Sequence, residues 1–386
     1  MLWHNPVMTT QTQTPDQIAA VQEYIQAMLP WAHGHQIKGL TDYVLAILDH
    51  PTGNQANLVR GMGNQEAALK RLTRLNHNER LAPRKLADSV LAQAIAQLPS
   101  QGKVRLAMDW TIEGSQYLLT ISLILRGRAV PIYWRAYNES ALKGRMRRYE
   151  VAMFKRVLTR MKPHVRLSRL RVTADRGFAD VELMDLLDSY GIVYVLRVRS
   201  STKICIRQQW QRLETLRFTT NSRRRNVGRV PYCESNPHQV WVSLSRAKNE
   251  HGQWEVWYLV SNRPTRAGQM AAEYARRFGC EQGFRDVKWL LGFAEARIEN
   301  IEAWSRFFSL FVLALLVLVS LGTALLALGK QVLLQLLRRV ASRRRGRWEL
   351  SLVNAVRWLL KTDSGLWKWL DPQIILDLEA ALPNVS

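Results

Sequence analysis

Residues 274–288 read Tyr-Ala-Arg-Arg-Phe-Gly-Cys-Glu-Gln-Gly-Phe-Arg-Asp-Val-Lys. On a helix each residue advances about 100°, so Tyr274, Arg277, Glu281, Arg285 and Lys288 fall within roughly 80° of one another. A carboxylate, a phenol and three cations on one stripe cannot form a core face. Gly279, Cys280, Gly283 and Val287 take the far side, where small residues allow close packing on a sheet. The rise from Tyr274 to Lys288 is about 21 Å, the scale of a nucleic-acid backbone track. One acid inside a cationic stripe points to metal-assisted chemistry on a phosphate.

Such chemistry needs hard oxygen ligands from separate elements. Two divalent cations about 3.5–4 Å apart activate a nucleophile and stabilise a leaving oxygen. Asp109 stands in the otherwise apolar run Leu106-Ala-Met-Asp-Trp-Thr, where a carboxylate is costly to bury unless paired or metal-bound. Asp175 ends the run Leu170-Arg-Val-Thr-Ala-Asp, where a strand hands over to a loop. Singly, each acid has an ordinary reading as a turn residue or a solvent-facing glutamate. Together with Glu281, in this order and on these elements, they point to one site.

The elements that must position them follow from periodicity. Residues 1–14 are polar and predict a frayed terminus. Residues 16–99 are helical in pattern: Ile18, Val21, Ile25 and Met28 form one stripe stopping at Pro30, and Leu40, Val44, Ile47 and Leu48 a second. Gly61-Met62-Gly63 precedes Asn64, an N-cap for a helix with Leu69, Leu72 and Leu75 on one side and Lys70, Arg71 and Arg74 largely on the other. This is compatible with a helix-turn-helix in a DNA groove, or with a solvated basic face on a helical bundle. A further helix spans 83–98.

Beyond Gly102 the period changes to two. Strands are predicted over 104–111, 117–125 and 129–136, a helix over 146–161, a strand over 170–174, a helix over 180–190 and a strand over 192–198. The order β-β-β-α-β-α-β is that of an RNase H-like core, in which the first and fourth strands are neighbours and Asp109 meets Asp175. Residues 200–264 carry β-type runs, including 241–244 and 254–260, with Arg223-Arg224-Arg225 placed in a loop. The expected fold class is α/β: an RNase H-like mixed sheet with a β-rich insertion, preceded by an all-helical DNA-binding domain and followed by a helical tail. The corresponding segments are 1–100 (helical), 101–199 (first part of the core), 200–264 (insertion), 265–328 (helical completion of the core) and 329–386 (basic helical region).

Composition narrows the partner. Lys and Arg number 55 against 31 Asp and Glu, a net charge of +24; this excess selects polyanions such as nucleic acid or an anionic membrane surface. Cys205, Cys233 and Cys280 lack CxxC spacing, so neither a disulfide framework nor a zinc site is indicated. No basic and then apolar leader opens the chain, and no secretory signal is expected. Residues 307–328 hold no charge and are long enough to span a bilayer. Ser309, Ser320, Gly322 and Thr323 dilute that run, which is read as a buried core helix with a membrane span as the alternative. The tail from Lys330 is helical in pattern, and Arg338-Arg339 with residues 342–347 form its most basic run, a second candidate for phosphate contact.

These residues carry a resemblance. Tyr274, Arg277, Glu281 and Lys288 match the Y-x2-R-x3-E-x6-K signature, and the chain resembles the hairpin-forming, cut-and-paste DDE transposases of bacterial insertion sequences. Met108-Asp109-Trp110-Thr111 and Ala174-Asp175-Arg176-Gly177-Phe178 look like the other two members of the triad. The resemblance implies that Asp109, Asp175 and Glu281 hold two Mg²⁺, with Mn²⁺ able to substitute. It implies binding to terminal inverted repeats, a homodimer holding two transposon ends, cleavage, and joining of the 3′-OH to target DNA. It further implies DNA contacts by Tyr274, Arg277, Arg285 and Lys288, and base stacking by Trp257 in a hairpin-forming insertion; the residue-level alternative for Trp257 is a core strand position. A cytoplasmic, nucleoid-associated bacterial location and no membrane partner accompany it. The competing readings are an RNase H-like nuclease or resolvase without strand transfer, and an inert DNA-binding relative.

Overall fold

The computed structural model describes residues 14–125, 128–218, 222–248, 252–327, 342–344, 347–349 and 352–371. The chain forms two compact units, residues 90–284 and a second made of residues 1–89 with 285–386.

The unit of residues 90–284 is built on one ten-stranded sheet. Its first half is β1 (Val104–Glu113), β2 (Gln116–Leu125), β3 (Arg128–Asn138), β4 (Leu170–Ala174) and β5 (Val193–Arg197). The spatial order is β3-β2-β1-β4-β5, with β1–β2–β3 antiparallel and β1–β4–β5 parallel. The parallel members need crossover connections, supplied after β3 by the short helix α6 (Glu139–Leu142) and by α7 (Met146–Met161), and after β4 by α8 (Val181–Ser189). The alternation β, helix, β read from the sequence is therefore the physical route between parallel neighbours.

The insertion extends the same sheet. β6 (Lys203–Ile206), β7 (Gln209–Arg212), β8 (Arg224–Tyr232), β9 (His238–Lys248) and β10 (Trp254–Ser261) add in the order β10-β9-β8-β6-β7, with β10 antiparallel to β5. Arg224 and Arg225, expected in a loop, open β8 and pair with Ser245 and Leu244. Every second side chain on a half-exposed strand faces water, so a strand accommodates this basic run. Two helices follow, α9 (Ala267–Ala275) and α10 (Phe278–Arg285).

The other unit holds α1 (Pro15–Met28), α2 (Gly34–Asp49), α3 (Gln55–Leu58), α4 (Gln65–Asn76) and most of α5 (Pro83–Ala96). Thr14 caps α1 and Asn64 caps α4, accepting from the Ala67 amide as its sequence position predicts. With them pack α11 (Ile301–Ala327) and α12 (Leu352–Thr362). α11 is long and apolar enough to cross a membrane, but its most apolar window is wholly buried within the protein. Phe307, Phe308 and Phe311 gather with Trp304 around Phe293, and buried Arg306 donates to the Leu81 and Asn76 carbonyls. A guanidinium tied to carbonyls of the helical unit has no counterpart in a lipid-facing helix, which supports the core-helix reading. Gly292 enters this cluster at φ +87° with its Cα against Thr52 and Pro51, a place where a Cβ would lie 2.6 Å from the Thr52 Cα.

Residues 1–13, Arg338, Arg339, Arg345 and Gly346, on which expectations of fraying and phosphate contact fall, lie outside the described residues. Within the basic run, Ser342–Arg344 and Arg347–Glu349 form an antiparallel pair, not the expected helix.

Candidate active site

Asp109 and Asp175 come together through strand register. In the parallel β1–β4 ladder Met108 faces Ala174, so Asp109 on β1 and Asp175 just past the end of β4 are the next residues in that register. Asp109 Oδ1 accepts from the Trp110 amide at 3.0 Å, and the Thr120 hydroxyl of β2 donates to the Asp109 carbonyl at 3.4 Å. Asp175 sits in the turn beyond β4, where its carbonyl accepts from the Phe178 amide at 2.8 Å.

Glu281 reaches them from α10. That helix packs on the start of β3 through glycine: a Cβ on Gly283 would lie 2.1 Å from the Ala129 carbonyl oxygen, and one on Gly279 3.0 Å from the Arg128 backbone. Cys280 and Phe284 share this apolar contact with Ala107, Ile124 and Ala129. The small-residue side of the stripe thus packs on the sheet as its composition predicts.

The stripe itself is not one regular helix. The chain breaks at Arg276–Arg277 between α9 and α10, and a π-type turn, Asp286–Leu290, follows. Tight i→i−3 bonds carry the break, from Arg277 N to Tyr274 O and from Cys280 N to Arg277 O. Uniform rotation of 100° per residue fails there, and Tyr274 and Arg277 turn inward instead of outward. Both are buried, Tyr274 completely.

Their partners are the acids. Arg277 donates to Asp109 Oδ2 at 3.4 Å and to Glu281 Oε1 at 2.8 Å, and the Tyr274 hydroxyl donates to Asp175 Oδ1 at 3.0 Å. The Arg277 guanidinium lies 5.6 Å from both the Tyr274 and Phe278 ring centroids. The expectation that Tyr274 and Arg277 face a DNA phosphate therefore meets a different arrangement, in which both hold carboxylates. Arg285 and Lys288 fall in the other compact unit, Arg285 exposed at the end of α10 and Lys288 half-buried in the π-type turn.

Electrostatics separates the two aspartates. Burial raises the Asp109 pKa to about 6 from 3.8, outweighing Arg277 and the Trp110 amide, with Asp175 and Glu281 adding to the rise. Burial acts upward on Asp175 too, but the Arg176 amide, Arg277, the Tyr274 hydroxyl and Arg197 outweigh it and hold the carboxyl below its usual range. Burial pushes the Tyr274 phenol up to about 12, so it remains a donor.

Trp257 is buried in the cluster of Val195, Leu259, Met270 and Tyr274, edge-on to Tyr274 at 5.1 Å and tilted against Phe278 at 5.6 Å. Its indole N–H donates to Glu255 at 2.6 Å, and Glu255 pairs with Arg197 at 2.7 Å. The ring is a packing wall beneath Tyr274, with no face offered to a base. Arg197 and Glu255 were missed by sequence reasoning. Register contains the signal for Arg197: Leu196 of β5 faces Ala174, which puts Arg197 level with Asp175.

Hard-cation binding calls for carboxylate oxygens, and Asp109, Asp175 and Glu281 supply that chemistry around a single shared guanidinium. The fit is one of donor type and charge. Among the described residues no three His, Cys, Asp or Glu side chains stand close enough together to hold one ion, and Arg277 occupies the cationic role between Asp109 and Glu281.

The mixed α/β architecture and its strand order are compatible with an RNase H-like fold of the DDE class. The family model of the transposase DDE domain matches residues 141–317, and this supports a DDE transposase, with DNA as the partner that family implies. The matched stretch contains Asp175, Trp257, Tyr274, Arg277, Glu281, Arg285 and Lys288, while Asp109 lies before it. No curated protein matches the chain.

Proposed function

We propose that this protein is a bacterial insertion-sequence transposase of the YREK-signature, cut-and-paste type. It binds the terminal inverted repeats of its element, cleaves them, and joins the 3′-OH ends to target DNA. The observation that carries this reading is that buried Arg277 holds both Asp109 and Glu281, with Asp175 within its electrostatic reach, on strands and a helix whose order is compatible with an RNase H-like fold.

Asp109, Asp175 and Glu281 are the residues that would hold two Mg²⁺ or Mn²⁺ ions. Such ions, when bound, polarise the scissile phosphate and ease ionisation of the attacking hydroxyl. The protein's own residues set up the rest. Tyr274 fixes the Asp175 carboxylate by its hydrogen bond and adds to the Arg176 amide and Arg277 in holding it ionised. Arg277 compensates Asp109 and Glu281. Arg285 and Lys288, one helical turn apart in sequence, are assigned to backbone phosphates, which set register and not sequence. Readout of the end sequence is assigned to α1–α5, with the basic face of α4 as its candidate. Two protomers hold two ends in a synaptic complex, in the cytoplasm and on the nucleoid.

Trp257 supports the hairpin version of the reaction only if its ring leaves the Tyr274 and Phe278 contact when an end is bound. Incubation of the protein with Mg²⁺, end DNA and a supercoiled target plasmid tests the whole reading. Joined end–plasmid products are expected. Nicking without joining would assign the site to a nuclease or resolvase, and binding without cleavage in Mg²⁺ or Mn²⁺ to an inert DNA-binding relative.

A further inference from the structure

A polar cavity of about 430 Å³ opens in the unit of residues 90–284, at the end of the parallel strands away from the acids. Lys103 and Arg105 of the β1 entry, Arg171 of β4, Arg263 of the loop before α9, and Arg276 line it, with Glu273 as the acid among them. Arg105 and Asp109 share a face of β1 four residues apart, about 13 Å along the strand. One phosphate cannot serve both places.

The cations are gathered at a cost. Arg105 and Arg171 are direct neighbours in the parallel ladder, a like-charge pairing that opposes sheet formation. Glu273 answers Arg105 at 2.8 Å and Arg276 at 4.0 Å. The Arg171 guanidinium is turned toward the Ser168 and Leu170 carbonyls, and burial with Arg105 and Arg263 nearby lowers its pKa despite Glu273. Lys103, Arg263 and Arg276 stand exposed at the rim. α9 presents Gln269, Ala272 and Glu273 to the cavity, followed by Arg276 at its C-terminal cap, and Tyr274 to the acids. One short helix thus joins the two places rigidly.

We propose that this cavity is a second DNA-backbone site, in which Lys103, Arg263 and Arg276 engage phosphates of a DNA segment other than the one at the acids, with Arg105 and Arg171 supplying field from behind. That the cavity takes phosphate rests on its own cations; that the phosphate belongs to DNA rests on the function proposed above. Guanidinium forks suit phosphate oxygens, and such contacts fix position without reading sequence.

The test is the salt dependence of binding to a labelled random-sequence duplex, measured by fluorescence anisotropy on the full chain. The pair Lys103→Gln and Arg263→Gln removes two rim cations. Each lost phosphate contact lowers the slope of log K against log salt by about 0.9, so the slope falls by about 1–2 and affinity at 0.1 M salt by roughly 10–100-fold. A control pair of equal charge, Lys162→Gln and Arg166→Gln, exposed and outside the cavity, leaves the slope near that of the parent. Arg276→Gln alone lowers it by about 1. An unchanged slope in folded cavity variants, or equal losses in the control pair, overturns the proposal. So does an effect confined to saturable binding of inorganic phosphate. A parent that binds duplex with the expected slopes but never cleaves end DNA overturns the transposase reading and leaves the cavity assignment standing.

Discussion

Arg277 donates to Asp109 at 3.4 Å across 168 residues of chain, from a guanidinium that also holds Glu281 at 2.8 Å. One buried cation thereby sets the positions of acids from two distant elements. Its charge compensates both carboxylates.

Removing that cation should therefore be costly, and cations should repair it. Arg277→Ala leaves Asp109 and Glu281 without their shared partner and is expected to destabilise the fold by about 3 kcal/mol in metal-free buffer. Added Mn²⁺ should raise its melting temperature more than that of the parent. Equal shifts in the two proteins would separate Arg277 from the metal site.

Asp109 makes the fold pH-dependent. Its folded pKa, raised by burial to about 6 from 3.8, means that the native state binds the proton more tightly than the unfolded chain. The contribution is fully present below 3.8 and is lost as pH rises through 6. Asp109→Asn removes the loss, on the order of 3 kcal/mol. Thermal melting in chelator is expected to show the variant ahead of the parent at pH 8, the gap closing toward pH 4. A gap that does not change with pH would refute this.

Asp175 behaves in the opposite sense. Its depressed pKa contributes stability above its usual 3.8, lost as pH falls through the lower folded value. Tyr274→Phe deletes the hydroxyl that contributes to this and should cost about 1–2 kcal/mol at pH 7. The deficit should shrink in acid, which denaturant titrations at pH 7 and pH 3 would check.

Gly283→Ala separates helix propensity from packing. Alanine favours an isolated helix by about 1 kcal/mol, yet its Cβ would meet the Ala129 carbonyl at 2.1 Å. The backbone clash decides the sign, so the variant should be less stable than the parent by about 1–3 kcal/mol. Displacement of α10 should also weaken Mn²⁺ binding through Glu281. Gly34→Ala, where a Cβ meets nothing within 4 Å, serves as the control; a Gly283 variant as stable as that control would show that α10 is not seated on β3.

Alanine at Asp109, Asp175 or Glu281 should abolish Mg²⁺-dependent cleavage of end DNA while leaving duplex binding by gel shift intact. Cleavage retained in any one of the three would remove that residue from the site.

Much of this was written in local pattern. The strands β1 to β5 and helix α7 follow from periodicity because side-chain alternation is a property of a few consecutive residues. The acids stood out because Asp109 interrupts an apolar strand and Glu281 interrupts a cationic stripe. Residue types and spacing were enough to bring Asp109, Asp175 and Glu281 to notice and to indicate phosphate chemistry. Where Tyr274, Arg277 and Trp257 point was decided by tertiary structure. A break at Arg276–Arg277 turns Tyr274 and Arg277 into the interior, where burial makes a carboxylate their best partner. The role of Trp257 as the wall under Tyr274, and the pairing of Arg105 beside Arg171, depend on register between strands far apart in the chain. Composition sets the charge of this protein, and long-range pairing sets which charges meet.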